Sequence, residues 1–285
     1  MLKQPTTYEC QLAKLHERGC EISDEAFCEE ILSKVGYYRF SAYFLPYKTV
    51  DKKYKQGTEF TKVYSLYEFD RKMRHLLFSV IEEIEVYLRA QLSYFHAHKY
   101  GSDGYMNPDN YSNRHKHETF INRINQLITT NRKAALVKHH ITVYDGTFPF
   151  WAIIELFSFG MLSYFYADMI GTDQKQIAFD SFNTTVSKMK SWLYCCTNLR
   201  NSCAHYGRLY NNVFRAAPAQ LQNVNSDNKR TLFAAILAVR ALYPDKVKWN
   251  GVFMPEIMSV FYEHRDVLEL SHIGFPDNWE DLVRK

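Results

Sequence analysis

The chain has 285 residues, enough for one large domain or two small ones with a proper core. Its 46% hydrophobic and 23% charged residues are those of a folded soluble protein, and a net charge of +4 excludes any argument for a polyanionic partner from the overall field. Only local clustering can point to one. Aromatic residues reach 16%, with 21 Tyr and 20 Phe, which serve either as core filling or as surfaces on which nucleic-acid bases stack.

The first nineteen residues carry no apolar core of signal-peptide type. Between about Thr7 and Val35 the sequence predicts one or two short helices, stopped at Gly36. An aromatic segment, GYYRFSAYFLPY, follows, then a polar loop around residues 52–57. From Phe60 to Tyr100, apolar residues recur every three or four positions (Val63, Leu66, Met73, Leu77, Val80, Ile84, Leu88), and Gly101 supplies the stop. This is the clearest helix in the sequence. Arg71, Arg74, Glu82, Glu83 and Glu85 are read as lying mainly off its apolar stripe.

Turn formers fill SDGYMNPDNYSN, after which helices are expected at His117–Lys138, Trp151–Met169, Gln174–Phe182, Thr184–Tyr206 and Lys229–Leu242. Strand-like alternation is nowhere sustained. The expected fold is therefore all-α: a single domain with a small helical arm (1–58), a helical core (59–245) and a C-terminal extension (246–285). The apolar run from Phe148 to Ile170 contains Glu155 and Asp168, so it reads as a buried helix and not as a membrane anchor. Six cysteines without a CxxC pair suggest reduced thiols in a cytoplasm.

Chemistry is best sought in LRNSCAHYGRLYNN, residues 199–212, at the end of a predicted helix that Gly207 should terminate. Arg200 precedes His205 by five positions, and Asn201 shares a face with His205. Cleavage of RNA by its own 2′-hydroxyl needs a base, an acid, and positive charge where the phosphorane gains negative charge. Imidazole, with a reference pKa near 6.5, moves protons close to neutrality, and guanidinium forks onto two phosphate oxygens. No metal or cofactor is demanded. Spacing alone is weak evidence, because chance gives roughly two such Arg/His pairs in a chain of this content. Arg89 with His96 and Arg132 with His139 are two others. The competing reading is a helix-terminal His favoured by the macrodipole, beside an Arg in a structural ion pair.

The segment LRNSCAHYGRLYN resembles the signature of HEPN domains, in which Arg, a polar residue and then His follow at short range. It is more particularly similar to the Abi family of bacteriophage-resistance proteins. GYYRFSAYFLPY, FDRKMRHLLFSVIEEIEVYLRAQL and FPFWAIIELFSFGMLSYFY fit that family's pattern in the same order, so the likeness covers most of residues 10 to 240. It implies a helical, metal-independent endoribonuclease acting in phage defence or as a toxin, with Arg200 and His205 catalytic and Asn201 auxiliary. HEPN domains resemble one another in pairing their sites, which implies a homodimer with the motif helices near the two-fold axis. A small RNA or protein antitoxin is a further implied partner. The alternative is a non-catalytic protein that holds a structured RNA.

Beyond the motif, Tyr206, Arg208, Tyr210 and Asn211 are expected to shape substrate entry. Residues 112–140 carry a run of cations, among them Arg132 and Lys133, that suits either an RNA backbone or a solvated helix face. The aromatic arm segment is expected to pack onto the bundle more than to stack bases. Glu82, Glu85 and Arg89 are expected to fix helix packing.

Overall fold

A computed structural model describes residues 4–284. The fold is all-α, as the sequence predicts. Among the described residues there is no strand, only isolated bridges such as Glu21 to Glu59.

Helices α1 (Tyr8–Glu17) and α2 (Glu25–Val35) are capped by Thr7 and Asp24, whose side chains accept from Cys10 and Phe27 amides. Gly36 ends α2 at φ +81, the left-handed region in which glycine pays no Cβ penalty. Short α3 (Tyr37–Phe40) and a 3-10 turn (Ser41–Tyr47) then carry the aromatic segment. Phe40, Tyr43 and Phe44 are buried, whereas Tyr38 is exposed, so the arm mainly packs. Phe40 sits 4.9 Å from Phe60 and 6.4 Å from Tyr67, which docks the arm on the next helix.

That helix, α4 (Phe60–Tyr100), has the predicted limits and runs 41 residues, about 60 Å. It is the spine of the molecule. One charged residue departs from the expectation: Arg74 lies in the buried face, not off it, and Asp70 is buried there too.

Two predicted helices are divided. The segment expected at His117–Lys138 forms α5 (His117–Thr130) and α6 (Ala135–Val143), parted where the Asn131 side chain bonds back to the Leu127 carbonyl at 2.8 Å. The apolar run forms α7 (Phe150–Ile153), a 3-10 turn to Leu156, and α8 (Phe159–Asp168). Phe157 is extended there, and Ser158 caps α8 by accepting from the Met161 amide. Arg89 of α4 donates to the carbonyls of Ile154 (3.2 Å) and Phe157 (2.9 Å), so a cation from another element satisfies the break. Hydrophobic periodicity cannot register such a partner.

Helices α9 (Gly171–Phe182), α10 (Val186–Ala204) and α11 (Leu232–Leu242) follow, α10 packing against α4, α8, α9 and α11. The C-terminal residues are helical too: α12 (Lys246–Lys248), a π-helical turn, α13 (Met254–Glu263) and α14 (Trp279–Arg284). Trp249, Met254, Ile257 and Trp279 join the same buried cluster as the arm and α4. Lys248 and Tyr243 both bond Glu83 of α4. No helix among the described residues is long and apolar enough to cross a membrane, and all six cysteines are unpaired.

His96 bears on pH. It is fully buried among the rings of Tyr100, Tyr111, Phe150 and Phe165, and neither ring nitrogen has a hydrogen-bond partner among the described residues. Burial pushes its pKa down to about 4. The unfolded chain takes up a proton near pH 6.5 that the folded chain refuses, so this stability is complete above pH 6.5 and is lost as pH falls towards 4. The loss reaches about 3 kcal/mol. In His96→Phe, urea unfolding at pH 7 and pH 4.5 should differ by roughly 2–3 kcal/mol less than in the parent. An unaltered pH dependence would remove His96 as its source.

Candidate active site

Helix α10 starts at the Thr185 cap and buries Met189, Leu193, Cys196, Leu199 and Cys203 along one face. This sets the direction of everything after it. Arg200, next to a buried leucine, emerges beside α4 with its side chain about one-third exposed (32%). Its guanidinium lies 5.3 Å from the Phe78 ring, and its Nε is 3.8 Å from Glu85 Oε2. The other Glu85 oxygen accepts from Arg89 Nη2 at 3.1 Å, so one carboxylate stands between two guanidiniums. Arg200 therefore reaches solvent in a held position, at a cleft of about 180 Å³.

His205 is the C-cap, exposed, and its amide donates to the Asn201 carbonyl at 3.0 Å. Asn201 is also exposed. Among the described residues the rings and side chains of Arg200, Asn201 and His205 form no hydrogen bond with one another. All three nevertheless open to solvent within the last turn and a half of α10.

The helix stops differently from the prediction. The left-handed residue is Tyr206, at φ +59, a conformation that costs an L side chain roughly 1–2 kcal/mol. Gly207 matters for space instead: its amide donates to the Ser202 carbonyl at 2.7 Å, and a Cβ there would meet that oxygen at 3.0 Å.

The segment leaving the motif is fastened residue by residue. Arg39 Nη1 donates to the Tyr206 carbonyl at 2.7 Å, with its guanidinium 5.8 Å from the Tyr206 ring. Arg74 donates to the Gly207 carbonyl at 3.2 Å, and Arg208 to the Ala42 carbonyl at 2.5 Å. The Asp70 carboxylate accepts from the amides of Leu209 (2.7 Å) and Tyr210 (2.8 Å) and from the Tyr43 hydroxyl (2.8 Å). Burial raises the Asp70 pKa to about 6, although those bonds and Arg74 pull it down.

Of the residues expected to shape substrate entry, Tyr206 is exposed (66%). Tyr210 is fully buried, with its hydroxyl on His272 Nδ1 at 2.9 Å, so its ring is closed to a stacking base. Arg208 is half-buried and turned to the arm, and Asn211 is half-buried at φ +48. Arg132 and Lys133 are exposed in the turn between α5 and α6 and line neither cleft beside α10. The arrangement of His96 removes Arg89/His96 as a rival pair, because that imidazole never meets solvent.

Sequence reasoning missed Asp70 and misplaced Arg74, although a signal existed: an acid and a base four apart beside an apolar stripe mark a pair that the fold must satisfy internally.

The fold and site define an all-helical protein with an Arg/His motif at a solvent-facing helix terminus. The chain belongs to the Abi-like protein family, whose model matches residues 30–211. No curated protein and no solved structure matches it. The matched span includes the aromatic arm segment, all of α4 and the motif through Asn211.

Proposed function

We propose that this chain is a metal-independent endoribonuclease of HEPN type acting in abortive infection, either in phage defence or as a toxin. Family membership supports the link to abortive infection. The observation that carries the enzymatic reading is the joint exposure of Arg200 and His205 at the end of α10, with Arg200 held by Phe78 and Glu85. Neither group is locked in the core.

In the proposed reaction the ribose 2′-oxygen attacks its adjacent phosphorus and gives up its proton to an imidazole. The phosphorus–O5′ bond breaks and O5′ receives a proton, leaving a 2′,3′-cyclic phosphate and a 5′-hydroxyl. His205 moves protons, Arg200 neutralises the phosphorane oxygens, and Asn201 orients His205 or a phosphate oxygen. A two-fold dimer apposing two α10 termini would supply one imidazole as base and the second as acid. Sedimentation is expected to show the dimer; a monomer that still cleaves RNA would overturn it. A small RNA or protein antitoxin is the proposed restraint.

The decisive chemical test is the nature of the product ends after incubation with cellular RNA and a chelator. Cyclic phosphate ends are expected. Products with 5′-phosphates that need a divalent ion would reject the mechanism. A second reading, a non-catalytic holder of structured RNA, draws on the lack, among the described residues, of a hydrogen bond between Arg200 and His205 and on His205 sitting where a helix dipole favours a cation. It predicts RNA binding without cleavage.

A further inference from the structure

Two clefts share Phe78 and Glu82 and so form one groove along α4 beside the end of α10. The smaller holds Arg200. The larger, about 710 Å³, opens towards Tyr67 and Arg71 and is closed on the α10 side by Cys203, Ala204 and Tyr206. That volume lies within the usual range for sites that enclose a small organic ligand.

The lining has two components. Tyr67, Phe78 and Tyr206 offer ring surfaces, the first two half-buried and the third exposed. Arg39, Arg71, Arg74 and His75 face a single acid, Glu82. The three guanidiniums are not equally available. Arg39 and Arg74 already hold the carbonyls of Tyr206 and Gly207, and so fix the wall they belong to. Arg71 meets Glu68 through Nε and Nη2, which leaves Nη1 open. The exposed His75 ring makes no hydrogen bond among the described residues. Rings with fixed positive charge on one side and open N–H donors on the other suit a flat heteroaromatic base joined to a phosphate.

We propose that the larger cleft binds one unpaired nucleotide of a single-stranded RNA, the base against Phe78 and Tyr206 and its phosphate on Arg71 and His75. The neighbouring phosphodiester then enters the part of the groove that holds Arg200. A paired base cannot enter, because its faces are already covered by the stack. The placement of the strand relative to Arg200 rests on the ribonuclease reading; occupancy of the cleft does not.

The test uses the full chain carrying His205→Ala, so that binding is read apart from cleavage, with a fluorescein-labelled RNA tetranucleotide followed by anisotropy. Single-stranded probe is expected to bind more tightly than a hairpin duplex of the same bases. Adding Tyr206→Ala or His75→Ala should weaken binding about tenfold. Adding Arg71→Gln should reduce the slope of log affinity against log salt by about 0.7. Equal affinity in all of these variants, preference for the duplex, or no binding of the tetranucleotide would overturn the proposal, the last favouring a protein occupant. Persistent cleavage in the His205→Ala chain would instead strike the ribonuclease reading and leave the binding result standing.

Discussion

Alanine in place of His205 is expected to lower RNA cleavage by about 10²–10⁴, the usual range for loss of a general acid or base, while the thermal midpoint barely moves. The ring is exposed and forms no hydrogen bond among the described residues, so its removal leaves no cavity and no orphaned partner. Whatever a cation contributes at that helix terminus is limited to about 0.3–1 kcal/mol. Arg200→Ala should lose roughly 10²–10³ through the phosphorane oxygens it no longer neutralises. Arg200→Lys restores charge without the planar fork and should stay well below the parent. If both groups act on one transition state, the double variant falls little further than the worse single one. Single-turnover cleavage of labelled RNA, with circular dichroism melts of each variant, checks all of this. Unchanged rates in folded His205→Ala protein would mean that the imidazole is a helix cap and nothing more.

Asp70→Ala is expected to destabilise the protein by about 3–5 kcal/mol, the range for removing one partner of a buried charged network. The substitution leaves the amides of Leu209 and Tyr210 and the Tyr43 hydroxyl without their acceptor, and Arg74 without its nearest anion. Asp70→Asn should cost less, since an amide keeps one acceptor and avoids burying a charge. The pH dependence distinguishes the carboxylate further. Its folded pKa of about 6 lies above the ordinary 3.8. The folded chain therefore holds a proton that the unfolded chain releases, and stability from this group is full below about pH 4 and declines as pH rises through 6. This runs opposite to His96, so the two partly offset between pH 4 and 6.5, and only the single variants expose each. Urea titration gives the free energies. Hydrogen exchange at Leu209 and Tyr210 should accelerate in Asp70→Ala before global unfolding, because their acceptor is lost. Retained protection of those amides would show that Asp70 does not fasten the segment after the motif.

The fastening also explains why exposure at the motif was hard to foresee. Tyr206 and Tyr210 are four residues apart in one short segment, yet one ring faces solvent and the other is sealed against His272. Their difference is imposed by Arg39, Arg74 and Asp70, which lie more than a hundred residues earlier.

By itself the sequence determined the all-α class, the limits of α4, the arm's packing role and the position of the Arg200/His205 motif at a helix end. Those features depend on local periodicity, capping and turn residues, which are written in neighbouring positions. Tertiary structure alone decided where apolar runs break, as at Phe157, whose carbonyl is satisfied by Arg89 of another helix. It also decided that Asp70 and Arg74 turn inward, that Tyr206 rather than Gly207 takes the left-handed turn, and that His75 shares a cleft with the motif. The inward turn of Asp70 and Arg74 and the turn at Tyr206 rest on long-range partners that satisfy polar groups, and spacing along a single sequence does not name such a partner.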